Sequence, residues 1–429
     1  MTQEPPKNFQ EVKIDFKRLG LPFPSLGCPS YSIPTIGKLS PIRINLEPPA
    51  LAMPGSNLSR SVNFLADYGG CGWWRCGAPE MLLNYNQKMI VSSLTSMIAD
   101  PRFYLSGFKS VKFQRQATPM QLEFNKMVKQ MGSKHDFRII YEVDDVVFDE
   151  DIPLFNRCRD AFTDPIIKKS IKEMLELCDE FVVVSEYMKD YYKSKISNKK
   201  ITCIPNYAPR MWFDRYYNEE KLAREYEKNK KRPRILATPS GTHFDVLNKV
   251  NQKDDYAGVI EHMIKTRKDF KWVFIGGFPI FLKPFIDSGE MEFINWVQLL
   301  EFPQAMYDSN TQVSMAALAD NNFNRAKSYI KWSESAHLGI PFIGQNMEPY
   351  KQAAYKFNNG NELIDHIKKI TKDETTYMEA CKFARKSSDP YWLDNEKNLM
   401  QHVELYTTPY GSLERKYLLE TNPEQTIKK

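Results

Sequence analysis

The segment FNRAKSYIKWSESAHLG places Asn324, Lys327, Ser328 and Glu334 at the start of, and along, one expected helix. Lys327 to Lys331 and Lys327 to Glu334 are spaced i+4 and i+7, so all three share a helix face. A helix N-terminus has free N–H groups and the positive end of the macrodipole, and it favours phosphate. A lysine there adds a point charge. A carboxylate two turns on can accept from a sugar diol. This pattern reads as a diphosphate clamp with a ribose acceptor; read without a ligand, it is a solvated charged face with i,i+4 support.

Three further segments carry similar signals. Ser240, Gly241, Thr242 and His243 follow an apolar run, where backbone N–H groups can contact phosphate. Gly276 and Gly277 follow another, although no complete GxGxxG is present. In YEVDDVVF the adjacent acids Asp144 and Asp145 close a strand and point in different directions, so one of them can face a cleft. That one would orient an acceptor hydroxyl or act as base; the alternative role is to cap the next helix. In GCGWWRCGAPEMLL, Gly70 lets the backbone turn, and Arg75 has the reach for a phosphate. Trp73 and Trp74 offer stacking faces for a sugar or a base, or else anchor the core.

These residues need a scaffold, and the pattern of elements supplies one. Apolar strand-like runs (SVNFL, RIIYEV, FVVVS, KITCI) alternate with helical patterns up to about residue 210, and EMLLNYNQKMIVSSLTSMI reads as one helix. The charged stretch 211–233 reads as a solvated helix and linker. The alternation then restarts with PRILATPS, KWVFIGGF, MEFINWVQ, TQVSMAAL and IPFIGQN. Strands alternating with helices imply βαβ units and parallel sheets, so two series imply two doubly wound domains. Ligands in such sheets bind beyond the carboxyl ends of the strands, where the unusual polar residues fall. The expected organisation is a Pro-rich extension (1–55), an acceptor lobe (56–210), the linker (211–233), a donor lobe (234–390) and a helical segment (391–429) returning to the first lobe.

Composition limits the remaining choices. The 429 residues are 42% hydrophobic and 26% charged, which excludes a wholly disordered chain. No apolar run approaches a membrane span, and MTQEPPKNFQ shows no signal peptide, so no transmembrane contact and a cytoplasmic location are expected. Seven scattered cysteines fit reduced thiols rather than a disulfide framework. Cys71 and Cys76 lack the further ligands of a zinc set, so no metal is expected. A net charge of +6 permits a polyanionic partner without requiring one.

In order and spacing, FVVVSEYM, KITCIPNY, ILATPSGTH, WVFIGGF and SESAHLGIPFI resemble the GT-B glycosyltransferases of the retaining, family-4-like type. The resemblance covers about residues 60–400. It implies two Rossmann-like doubly wound lobes facing each other across a cleft, a UDP-sugar donor, no required cofactor, and transfer of a hexose or pentose to a hydroxyl with retention. Glu334 matches the second Glu of the family's E-x7-E signature, which holds the donor ribose, while Ala326 stands at the position of the first. Lys327 and Ser328 would hold the diphosphate, Asp144, Asp145 and Arg75 would serve the chemistry, and Gly70 with the 240–243 turn and Gly277 would line the donor site. The chain is also similar to phage-encoded transferases that glucosylate or arabinosylate hydroxymethylcytosine. That similarity implies double-stranded DNA as acceptor and the host cytoplasm as location. Trp73, Trp74, Lys109, Lys112 and Arg115 would then touch the acceptor, with KSVKFQRQ, KDYYKSKISNKK and RMWFDRYY as basic surface patches. A lipid-linked sugar of a polysaccharide pathway is the alternative acceptor, and a non-catalytic nucleotide-sugar-binding protein the alternative to an enzyme.

Overall fold

The computed structural model describes residues 58–67, 69–94, 107–135, 137–147, 150–196, 199–244 and 254–408. The Pro-rich extension and the end of the expected helical segment lie outside the described residues.

The first sheet contains β1 (Arg60–Phe64), β2 (Ile90–Leu94), β3 (Ser110–Gln114), β4 (Arg138–Glu142), β5 (Glu180–Val183) and β6 (Ile201–Cys203), in the order β2-β1-β3-β4-β5-β6. The second contains β7 (Arg234–Ala237), β8 (Lys271–Ile275), β9 (Glu292–Ile294), β10 (Val313–Ala316), β11 (Phe342–Gln345) and β12 (Tyr355–Phe357), in the order β12-β11-β10-β7-β8-β9. Every pairing within both sheets is parallel. Helices cover both faces of such sheets, so central strands read as unbroken apolar runs, as in Phe181–Val183 and Trp272–Ile275. This is the α/β GT-B architecture: two Rossmann-like, doubly wound lobes.

Strand order reverses between β1 and β3 in the first lobe and between β7 and β10 in the second. A crevice opens beyond the carboxyl ends of strands at such a switch point. The topology therefore selects four segments for the site: those following Phe64, Gln114, Ala237 and Ala316.

Four local expectations are corrected. The run 80–98 is not one helix: helix Ala78–Tyr85 ends in a turn with Gln87 at φ 53°, and the chain continues into β2. Asn84 staples that turn, accepting from Val91 N (2.8 Å) and donating to Val91 O (2.7 Å). KSVKFQRQ is not a surface patch, because its centre is β3, buried at all five positions. The expected donor helix is two helices, Asn322–Arg325 and Ile330–His337, with Lys327 and Ser328 between them. The charged stretch 211–233 is not a solvated linker: Trp212 and Phe213 lie in the core, and helix Glu219–Asn229 buries Tyr226 against Tyr377 of the second lobe.

The chain crosses between lobes twice, side by side. Ala208 N donates to Tyr391 O (3.1 Å) and Leu393 N donates to Ala208 O (2.8 Å). Helix Glu396–Thr407 then lies on the first lobe, where Ser110 Oγ donates to Tyr406 O (2.9 Å) and Tyr406 Oη to Asn63 Oδ1 (2.9 Å).

Candidate functional site

The second-lobe wall begins at the turn after β7. Ser240 Oγ and Thr242 Oγ1 share a hydrogen bond of 2.7 Å, and His243 N donates to Ser240 O. His243 Nδ1 lies 2.7 Å from Asp255 Oδ2. The other oxygen of Asp255 accepts from Asn324 Nδ2 (2.6 Å) and Ala319 N (2.9 Å). Asp255 is buried, and it ties the turn after β7 to the segment after β10. His243 and Asn324 are thus framework residues of the wall. Burial lowers the His243 pKa, an effect strengthened by Lys327 and Lys331 and opposed by Asp255.

Gly276, at φ +88°, and Gly277 bring the end of β8 against the same turn. A Cβ on Gly277 would lie 3.1 Å from Pro239 O. Beside them, Trp296 follows β9 with 60% of its surface exposed and its ring edge against Gly276. An exposed indole at a switch point is a flat stacking face.

The break between the two helices after β10 creates the cationic corner. Asn321 caps the first, accepting from Asn324 N (2.8 Å). The second starts at Ile330 with Tyr329 as an N-cap that makes no side-chain bond, so the N–H groups of Ile330, Lys331 and Trp332 have no acceptor within the helix. Lys331 pairs with Glu334 at 3.2 Å. Burial raises the Glu334 carboxyl above its ordinary range, against the pull of Lys331. Lys327 is not on their helix; it crosses the cleft, with Nζ 3.6 Å from Asp145 Oδ1 and 4.5 Å above the Phe323 ring.

The first-lobe wall is built around Asp67 and Arg115. Asp67 Oδ1 accepts from Gly69 N (2.8 Å), and its other oxygen takes Arg115 at 2.6 Å. Arg115 sits at φ 49° immediately after β3, with a second carboxylate, Asp144, at 3.7 Å. Burial and the neighbouring Asp145 raise the Asp144 carboxyl, while Arg115 lowers it. The two adjacent acids therefore diverge: Asp144 turns inward to Arg115 and Asp145 faces Lys327. Gly70 borders open space.

Polar contacts join the walls. Ser185 caps helix Glu186–Lys195 and donates to Ala326 O (2.7 Å). Asn206 Nδ2 donates to Ser328 Oγ (3.2 Å), and Tyr187 Oη to Asn322 Oδ1 (2.9 Å). All three first-lobe residues grip the segment that carries Lys327.

Several expected site residues lie elsewhere. Trp73 and Trp74 are each 3% exposed and pack on Trp212, so neither can stack on a ligand. Arg75 is buried, ion-paired to Glu142, and donates to Ile204 O (2.7 Å) and Asn206 Oδ1 (2.9 Å); it cannot reach a phosphate. Lys112 is 0% exposed and sits 2.9 Å from the other oxygen of Glu142, so it cannot touch DNA. Lys109 is exposed but precedes β3, at the opposite end of the sheet from the cleft. In RMWFDRYY the aromatic residues Trp212, Phe213 and Tyr216 are core. Asp67, Asp255 and Trp296 were not found from the sequence. Asp255 belongs to no local motif, whereas the position of Trp296 just after a strand resembled that of the residues that were found.

Among the described residues, no group of three or more His, Cys, Asp and Glu could hold a metal ion, and no helix is long and apolar enough to cross a membrane. No protein-family model matches the chain, and no curated protein matches it. Among solved structures, the chain is similar to TarM at 12% identity and a TM-score of 0.47, covering 71% of this chain and 57% of that one. It is similar to the Medicago truncatula protein UGT71G1, solved with UDP-glucose, at 10% identity and a TM-score of 0.38, covering 81% and 98%. A UDP-N-acetylglucosamine 2-epimerase follows at 11% identity and a TM-score of 0.43, covering 86% and 97%. The chain thus spans just over half the length of TarM. Likeness of this degree carries no argument about activity or substrate.

Proposed function

We propose that the chain is a glycosyltransferase that moves a hexose or pentose from a UDP-sugar to a hydroxyl acceptor, with retention of configuration. One observation carries this reading: at the second lobe's switch point, Asp255 ties the 240–243 turn to the segment after β10, which carries Lys327, Ser328 and the N–H groups of Ile330–Trp332 that have no acceptor within their helix. Aligned N–H donors and a lysine suit the diphosphate of an activated sugar. As the glycosidic bond breaks, the anomeric carbon gains oxocarbenium character and negative charge grows on the diphosphate. Fixed donors aimed at that charge stabilise the transition state. Trp296 stacks on the base, and Glu334 accepts from the ribose. Asp145, facing the crevice, orients the acceptor hydroxyl, and the departing phosphate helps to take its proton. The contacts from Ser185, Tyr187 and Asn206 hold the closed arrangement, which limits hydrolysis.

For the acceptor, a carbohydrate hydroxyl is favoured over hydroxymethylcytosine in duplex DNA. Four of the five residues expected to touch DNA are core side chains or lie at the far end of the sheet. A cavity of about 550 Å³ between the lobes is lined by Glu150, Asp151 and Asp320 together with Asn321, Arg159 and Arg325. Carboxylates accept from sugar hydroxyls and repel a phosphate backbone. The test is to incubate the protein with UDP-glucose or a UDP-pentose and, in separate reactions, hydroxymethylcytosine DNA or lipid-linked and free sugars, and to look for added sugar mass. Product on a sugar acceptor is expected. Product on DNA alone would overturn the acceptor assignment, and no donor turnover with any acceptor would overturn the enzyme reading.

A further inference from the structure

Among the described residues of the cleft, Arg157 is a cation with no carboxylate partner. Lys327 pairs with Asp145, Lys331 with Glu334, Arg115 with Asp67 and Asp144, and Arg325 with Asp320. His243 is bound to Asp255. Among the described residues, no carboxylate lies in ion-pair range of Arg157, although it is exposed and stands in this same crevice. A guanidinium is always charged and presents its donors as a rigid planar fork suited to phosphate oxygens.

The position of Arg157 is set from both sides. It belongs to the first lobe, in the loop that leads from β4 to helix Arg159–Thr163. Its neighbours Phe155 and Asn156 are buried. Asn156 Oδ1 accepts from Cys158 N (2.9 Å), Asn156 N donates to Pro153 O (2.9 Å), and Arg159 N donates to Asn156 O (2.9 Å). The backbone under Arg157 is therefore held, while its side chain is left to cross the cleft. There it lies over Gly241 of the second lobe: a Cβ at that position would be 3.4 Å from Arg157 Nη1 and 3.5 Å from its Cζ. These are ordinary contact distances, and they place the guanidinium directly over the turn.

We infer that Arg157 is a diphosphate-binding residue supplied by the acceptor lobe, closing the cradle that Lys327 and the 240–243 turn form on the donor lobe. This deepens the donor reading and rests on it. With Arg157 on one lobe and Lys327 on the other, a bound diphosphate bridges the lobes and favours their closed arrangement. Binding of the anion and closure over it are then one event.

The experiment is calorimetric titration of the full chain with UDP and with uridine, using the wild type, Arg157→Ala and Arg157→Lys. Loss of a charge-assisted contact to phosphate should weaken UDP binding by roughly tenfold or more in Arg157→Ala. Arg157→Lys should recover part of it, and uridine, which has no phosphate, should bind all three alike. Wild-type affinity for UDP in Arg157→Ala would overturn the inference while leaving the donor reading intact. A wild type that binds no UDP would overturn the donor reading and this inference together.

Discussion

At the scale of single residues, the cross-cleft pair of Lys327 and Asp145 is the most informative. The pair is partly exposed, at 19% and 32%, so its net worth is about 0.2–1 kcal/mol. A diphosphate that takes Lys327 must displace Asp145. Asp145→Asn should therefore tighten UDP binding by roughly two- to fivefold while slowing product formation. Parallel titration and turnover assays on that variant check both signs, and weaker UDP binding would contradict the geometry. The buried cluster behaves differently. Glu142 holds both Arg75 and Lys112 with almost no solvent, and removing its charge leaves two buried cations uncompensated. Glu142→Gln should cost about 3–5 kcal/mol in denaturant unfolding, a loss of stability rather than of a ligand contact. This contrast explains what could be read from residue types. Lys327 and Asp145 were legible because each stands where a strand or helix boundary exposes it. Lys112 looked like surface because a lysine in a fully buried parallel strand differs from an exposed one only through a partner, Glu142, that lies thirty residues away.

At the scale of elements, the strands were legible where apolar residues run unbroken, as in FVVV and WVFI, since parallel strands covered on both faces need no alternation. Periodicity failed at the two places where local polar chemistry interrupts it. The expected helix over 80–98 stops at Tyr85 because Asn84 bonds the backbone of Val91 and folds the chain back into an edge strand. The expected donor helix breaks after Arg325 because first-lobe side chains bind Ala326 O and Ser328 Oγ. No pattern within the second segment reports a bond to a residue more than a hundred positions away. The second of these helices also carries a pH-dependent term. His337 is buried against Trp392, its ring centroid 3.8 Å away, and Nδ1 lies 2.7 Å from Ser333 O. Burial lowers its pKa to about 3, aided by Arg385 and Arg210 and opposed by the Ser333 carbonyl. In the unfolded chain a histidine titrates near 6.5, so there it binds a proton that the native state refuses. The stability from neutral His337 is fully present above about pH 6.5 and is lost as pH falls toward 3. His402, whose pKa burial also lowers, adds to the same slope. Unfolding free energy measured at several pH values between these limits should fall with acid, and His337→Gln should flatten the dependence. An unchanged slope in that variant would contradict the assignment.

At the scale of the whole molecule, the two-lobe plan was legible because the βα alternation stops and restarts around residues 211–233. The boundary itself misled, since charged residues there surround Trp212, Phe213 and Tyr226, whose partners Trp73, His337 and Tyr377 stand far away in the chain. The second-lobe wall was legible because it is assembled from strand ends of one lobe. The first-lobe wall was not, because its shape depends on the loop after β4 and on contacts between lobes, and composition carries no record of either. Arg157 belongs to this second class. The crevice between the lobes is tested by calorimetric titration of UDP into the wild type and into Lys327→Ala, with thermal melts to show that both remain folded. Saturable one-to-one binding by the wild type, weakened roughly tenfold or more in the variant, is the result expected. A folded wild type that takes up no UDP, or a variant that binds it as tightly as the wild type, would contradict the account.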